Sequence, residues 1–161
     1  MNRSTALTHT VPKTAALAAT AALALAGCTT MSSSDDLGFG TRLAAELEGE
    51  NEVPQEGAAN GTGGFEAALA QDGELCYEIY ATGIAPAGAA HIHRGAASEN
   101  GPPVVSLVTP QTGETAEACT MIESGLAQEI LADPEGFYVN VHNEPYPGGA
   151  IRGQLVQTPK P

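Results

Sequence analysis

The 161-residue chain has no tryptophan, three phenylalanines and four tyrosines, while glycine (19) and proline (11) are frequent. So few large rings and so many chain-turning residues favour short strands joined by tight turns over a helical bundle. Basic residues are also scarce: six Lys and Arg stand against 19 Asp and Glu, a formal charge of −13. Arg3 and Lys13 precede residue 28 and every acidic residue follows it, so residues 28–161 carry −15. A body this acidic is repelled by nucleic acid and by anionic lipid headgroups, and its charge serves the solubility of an exported protein. Long hydrophobic runs are missing. The most apolar stretch, Ala15 to Ala24, is broken by Thr20 and is too short to span a bilayer. There is no GxSxG, P-loop or HExxH signature, no CxxC pair, no EF-hand spacing and no fixed-period repeat. The common hydrolase, nucleotide-binding and zinc-protease chemistries are therefore unsupported, and no pair of carboxylates is singled out.

What is present begins with an export signal. Arg3 and Lys13 form a positive region, Ala15 to Ala24 an apolar one, and Leu25-Ala26-Gly27-Cys28 closes it. The LAGC tetrapeptide resembles the lipobox of bacterial lipoproteins, which implies cleavage before Cys28 and diacylglyceryl attachment to its sulfur. The expectation is a signal peptide over 1–27, a Ser-, Asp- and Gly-rich tether over 28–40, a folded domain over 41–157 and a polar tail over 158–161. The expected location is the bacterial cell envelope, lipid-anchored and facing the periplasm or exterior. The membrane is one partner through the lipid, a protein or surface of unspecified identity is another, and nucleic acid is not one. With Cys28 set aside, Cys76 and Cys119 remain, and an exported domain with one such pair most simply forms a disulfide. A Cys-plus-His metal site is the competing reading.

Along the domain, alternation of apolar and polar residues predicts strands over Arg42–Leu47, Phe65–Ala70, Leu75–Ala81, Ala89–Arg94, Val104–Val108, Ala116–Ile122, Phe137–His142 and Ile151–Val156. Asp72-Gly73 marks a hairpin turn, and Ser124 is positioned to cap a short helix over Gly125–Ala132. Between Gly49 and Gly64 lies a long acidic, glycine-rich connection, whose carboxylates read as a solvated loop. The fold class is all-β: an antiparallel, Greek-key-like sandwich or barrel with one short helix.

Three of the four histidines fall in two of these strands. Residues two apart in a strand share a face, so His91 and His93 project together while Ile92 points away. Phe137, Val139 and Val141 make one face of a second strand, which leaves Tyr138, Asn140 and His142 on the other. If the two strands are close, three imidazoles converge, a donor set suited to copper or zinc. The alternative is that each histidine pins a loop carbonyl. For Arg152 the reading from the residues alone is a loop pin, its guanidinium holding loop carbonyls or pairing with Glu99 or Glu144.

Taken together, ELEGENEVP (46–54), LCYEI (75–79), AHIHRG (90–95) followed by NGPPVVSL (100–107), and YVNVHNEPYPGGAIRGQL (138–155) resemble the CHRD domain, a module named for chordin and found in many microbial exported proteins. The resemblance implies a β-rich extracellular module and points to no agreed biochemical activity. Growth-factor capture by chordin is associated with other, cysteine-rich modules and is not carried over. A shorter similarity, HIH, then VNVH, then GGAIRG, follows the order HxH, VxH, GGxR of copper–zinc superoxide dismutases. It implies copper ligands at His91, His93 and His142 and an anion-guiding Arg152. The chain departs from that pattern: it has no fourth mature histidine to bridge two metals and no His/Asp zinc cluster after HIHRG. The combined reading is a non-catalytic extracytoplasmic binding or structural module, with a copper- or zinc-binding protein, dismutase-like in its histidines, as the alternative.

Overall fold

The computed structural model describes Met1, residues 40–111 and residues 113–159. The leader, Cys28, the tether up to residue 39 and the last two residues of the tail lie outside the described residues. Nine strands form the domain: β1 (Thr41–Glu48), β2 (Thr62–Leu69), β3 (Glu74–Thr82), β4 (Ala87–Arg94), β5 (Pro103–Leu107), β6 (Thr115–Met121), β7 (Phe137–Asn143), β8 (Ile151–Gln154) and β9 (Val156–Gln157). One α-helix, α1 (Ser124–Ala132), precedes β7. The all-β antiparallel class with a single short helix is as the sequence predicts. All strands belong to one sheet in the order β5-β4-β7-β8-β1-β2-β3-β6, with β9 on β1, and the sheet curls into half a barrel.

Period-two alternation decides which face of this sheet becomes the core. Leu43, Ala45 and Leu47 of β1, Phe65, Ala67 and Leu69 of β2, and Leu75, Tyr77, Ile79 and Ala81 of β3 are all buried on one side. Val139 and Val141 of β7, Ala90 and Ile92 of β4, and Ile151 of β8 continue it. Helix α1 adds Ala127 and Ile130 to the same cluster. Burying a residue such as Leu or Ile is worth roughly 1.5–3 kcal/mol, so this face carries most of the stability. The β2–β3 hairpin turns at Gly73, whose φ of +105° is strained for any residue with a side chain. Ser124 is not the helix cap: Glu123 occupies that position in extended conformation, and it makes no side-chain capping bond. Ser124 is already helical, so its hydroxyl is one residue too late to serve the first amides.

Cys76 and Cys119 form a disulfide between directly opposed residues of β3 and β6. That assigns both sulfurs and removes the Cys-plus-His metal alternative. At the other side of the sheet β4, β7 and β8 are neighbours, although β4 and β7 are separated in sequence by β5, β6 and α1. Their non-core face carries His91, His93, Tyr138, Asn140, His142 and Arg152, and two connections fold over it. Residues 49–61 are held to β8 and the turn before it by Asn51 Nδ2 donating to the Arg152 carbonyl (3.2 Å) and Ala58 N to the Ala150 carbonyl (2.8 Å). Residues 95–102 are held by Gln154 Nε2 donating to the Gly95 carbonyl at 2.7 Å and by the contacts of Tyr138 and Arg152 described below.

Candidate metal centre

Adjacency of β4 and β7 brings the three histidines together. In the ladder His91 is opposite Asn140, His93 opposite Tyr138 and Ala89 opposite His142. Ring centroids are 5.5 Å apart for His91–His93, 5.1 Å for His91–His142 and 5.7 Å for His93–His142. One nitrogen from each ring lies within 4.8 Å of the corresponding nitrogen of the other two. The cluster lines an open cleft of about 420 Å³, whose remaining walls are Gly88, Ala89, Pro103, Asn143 and Pro147.

Backbone carbonyls set the tautomer of two rings. His93 Nδ1 lies 2.9 Å from the Gly101 carbonyl and His142 Nδ1 3.1 Å from the Pro147 carbonyl. A carbonyl only accepts, so Nδ1 carries the hydrogen and Nε2 keeps its lone pair. Both Nε2 atoms are buried and, among the described residues, have no hydrogen-bond partner. Burial holds the His93 pKa below its ordinary value, with the charges of His91 and Arg152 adding to it against the Gly101 hydrogen bond. His142 is lowered likewise, first by burial and then by His91 and His93, against the Pro147 bond. Neutral imidazoles with free Nε2 lone pairs are the form a metal ligand requires.

Next to the imidazoles the polar face is a dense structural network. Tyr138 stacks on His93 (centroids 4.9 Å, planes 15° apart), and the Arg152 guanidinium lies over the Tyr138 ring at 3.4 Å. The two groups reach Tyr138 from the strands on either side of it. Arg152 is 1% exposed, and its Nη2 donates to the carbonyls of Ala96 and Glu99, both at 2.8 Å. Its partner at Glu99 is thus the backbone, while the Glu99 carboxylate accepts from Ala96 N at 3.2 Å. The Tyr138 hydroxyl meets Asn100 Oδ1 at 3.2 Å and accepts from Gly101 N at 3.2 Å. Arg152 and Tyr138 therefore tie down residues 96–101, and Arg152 does not line the cleft.

Glu52 corrects the solvated-loop expectation for the GENEVP carboxylates. It is 5% exposed, and both its oxygens accept from Asn140 Nδ2, at 2.9 and 3.1 Å. Burial pushes its pKa up to about 7 against the opposing pull of Arg152 and the Asn140 bond. Gly149 passes so close that a Cβ there would press on the Glu52 carboxyl and force it to move, and its φ of +148° strains any residue with a side chain. Glu52 and the Tyr138 stack are the residues of this face that sequence patterning missed. The one available signal was the parity of Tyr138 and Asn140 with His142.

The disulfide pair lies on β3 and β6, away from the cleft. The lipidation residue Cys28 lies outside the described residues. Fold and site together define an antiparallel β module in which residues 49–61 and 95–102 fold onto one polar, histidine-bearing face. The CHRD domain family model matches residues 43–155, from β1 through β8, and the chain belongs to the CHRD domain family. Among curated proteins none matches the chain.

Proposed function

We propose that this CHRD domain is a non-catalytic, extracytoplasmic metal-binding module in which His91, His93 and His142 hold one copper or zinc ion. The observation that carries the reading is the pairing of two free, buried Nε2 atoms with Nδ1–H groups anchored on backbone carbonyls, in a cluster open to a cleft. Anchored imidazoles lose little orientational freedom on binding and are held in the ligating tautomer. Tetrahedral coordination at ~2.0–2.1 Å places ligand nitrogens ~3.3 Å apart, so the rings close on the ion by side-chain rotation. The other cleft residues, Gly88, Ala89, Pro103, Asn143 and Pro147, supply no acid, base or nucleophile, which favours holding an ion over transforming a substrate. Arg152, engaged with Ala96, Glu99 and Tyr138, is unsuited to guiding an anion to the ion, which weighs against dismutase-like chemistry.

X-ray absorption of the zinc- or copper-loaded protein tests the reading. Three imidazole nitrogen scatterers near ~2.0 Å support it, and coordination by oxygen alone contradicts it. The LAGC sequence supports a position at the membrane through a lipid on Cys28, which metabolic labelling with radioactive palmitate, lost in Cys28→Ala, would test.

A further inference from the structure

Two of the three imidazoles, His93 and His142, are anchored on fixed oxygens, but His91 is not. Its Nδ1 is buried and, among the described residues, has no hydrogen-bond partner. Among the described residues, one other unpartnered buried atom belongs to its direct partner in the β4–β7 ladder: Oδ1 of Asn140, a residue 2% exposed. Directly opposed residues on one face of an antiparallel pair have Cβ atoms ~4.5–5.5 Å apart, within reach of an imidazole and an amide. The orientation of that amide is not free. Both oxygens of Glu52 accept from Nδ2, so Oδ1 is turned away from the carboxylate. A bond between this acceptor and this ring nitrogen, on paired residues, would satisfy both. The other ladder partner of Asn140, Arg152, also carries an unpartnered buried donor, Nη1, but its guanidinium is engaged with Ala96, Glu99 and Tyr138.

We propose that Asn140 is a positioning residue for His91, and that Glu52 is the group that aims it. When the site is loaded, His91 binds the ion through Nε2 and donates Nδ1–H to Asn140 Oδ1. All three ligands then share one design: Nδ1–H on a fixed oxygen (Gly101 O, Asn140 Oδ1, Pro147 O) and Nε2 on the ion. Such outer partners fix ring orientation and raise ligand basicity. The arrangement also explains why a glutamate is buried in the GENEVP segment: it links the first motif of the domain to the last one through the amide that faces the site. The inference rests on the three-histidine reading above.

The test is zinc affinity, measured by competition with a chelating dye, together with the imidazole nitrogen–proton NMR spectrum of the zinc-loaded wild-type protein. His91 is expected as the Nδ1–H tautomer. Asn140→Ala is expected to weaken zinc binding by about 10–100-fold. The isosteric pair Asn140→Asp/Glu52→Gln exchanges donor and acceptor between the two positions and keeps an oxygen for His91, so it retains at least wild-type affinity. Zinc binding by Asn140→Ala as tight as wild type, a His91 Nε2–H tautomer in the loaded protein, or a double variant as weak as Asn140→Ala would each overturn this inference while leaving the three-histidine reading intact. Failure of the wild-type protein to bind zinc or copper removes both. Should Asn140→Ala not fold, the wild-type tautomer and the double variant decide.

Discussion

Glu52 should give the wild-type domain a component of stability whose pH dependence is opposite to the usual acid denaturation, and replacing it by glutamine should remove that component. In the folded domain the Glu52 carboxyl holds its proton up to about pH 7, whereas the ordinary value is 4.5. Between these values the folded state binds more protons than the unfolded one, so stability from this residue is full below pH 4.5 and falls as pH rises through 7. At 1.36 kcal/mol per tenfold change in proton affinity, that interval corresponds to about 3 kcal/mol. His93 and His142 work in the opposite sense, because burial lowers them and their contribution is lost as pH falls below 6.5. The wild-type profile therefore mixes both trends, and the difference between wild type and E52Q isolates Glu52. Urea unfolding at pH 4, 6 and 8 measures it. The attraction of Arg152 for the ionised carboxylate is already contained in the value near 7, so it adds no separate difference between the two profiles. The expected result is that wild type loses about 3 kcal/mol relative to E52Q between pH 4 and pH 8. Parallel profiles would refute the claim that Glu52 is a buried, proton-holding carboxyl in this network.

Three further outcomes follow from the same geometry. Removing the Cys76–Cys119 bridge, which closes a separation of 43 residues, should destabilise the domain by up to ~4 kcal/mol in denaturant titration. Arg152→Lys keeps the charge but not the two carbonyl bonds or the stack on Tyr138. It should cost about 2–4 kcal/mol and speed amide exchange selectively over residues 96–101. Zinc affinity should stay level from pH 8 and fall only below the 6.5 of an ordinary imidazole, since burial resists protonation of His93 and His142. A decline beginning well above pH 7 would contradict that.

The sheet was largely legible because period-two patterning acts locally. Phe65-Ala67-Leu69 and Leu75-Tyr77-Ile79-Ala81 each declare a core face, and Asp72-Gly73 declares the turn between them. The same parity placed His91 and His93 on one face and His142 on the polar face of its own strand. That β4 and β7 are neighbours has no local signature, since it depends on where β5, β6 and α1 take the chain. Glu52 was misread for a related reason. Nothing in GENEVP distinguishes a solvated glutamate from one that Gly149 and Asn140 enclose, because the enclosure comes from a turn about a hundred residues later. Arg152 was legible only as a choice between two roles, and the geometry of residues 96–101 shows it holding their carbonyls. The helix cap failed on a smaller scale: Ser124 has the right chemistry one residue past the right place.

Calorimetric titration of the metal-free protein with zinc and with copper decides whether His91, His93 and His142 form a metal site. One equivalent should bind tightly to wild type, and none to the His91→Ala/His93→Ala/His142→Ala variant. Absence of binding to wild type, or unchanged binding to a folded triple variant, would contradict a metal site and leave the histidines as supports for the Gly101 and Pro147 loops.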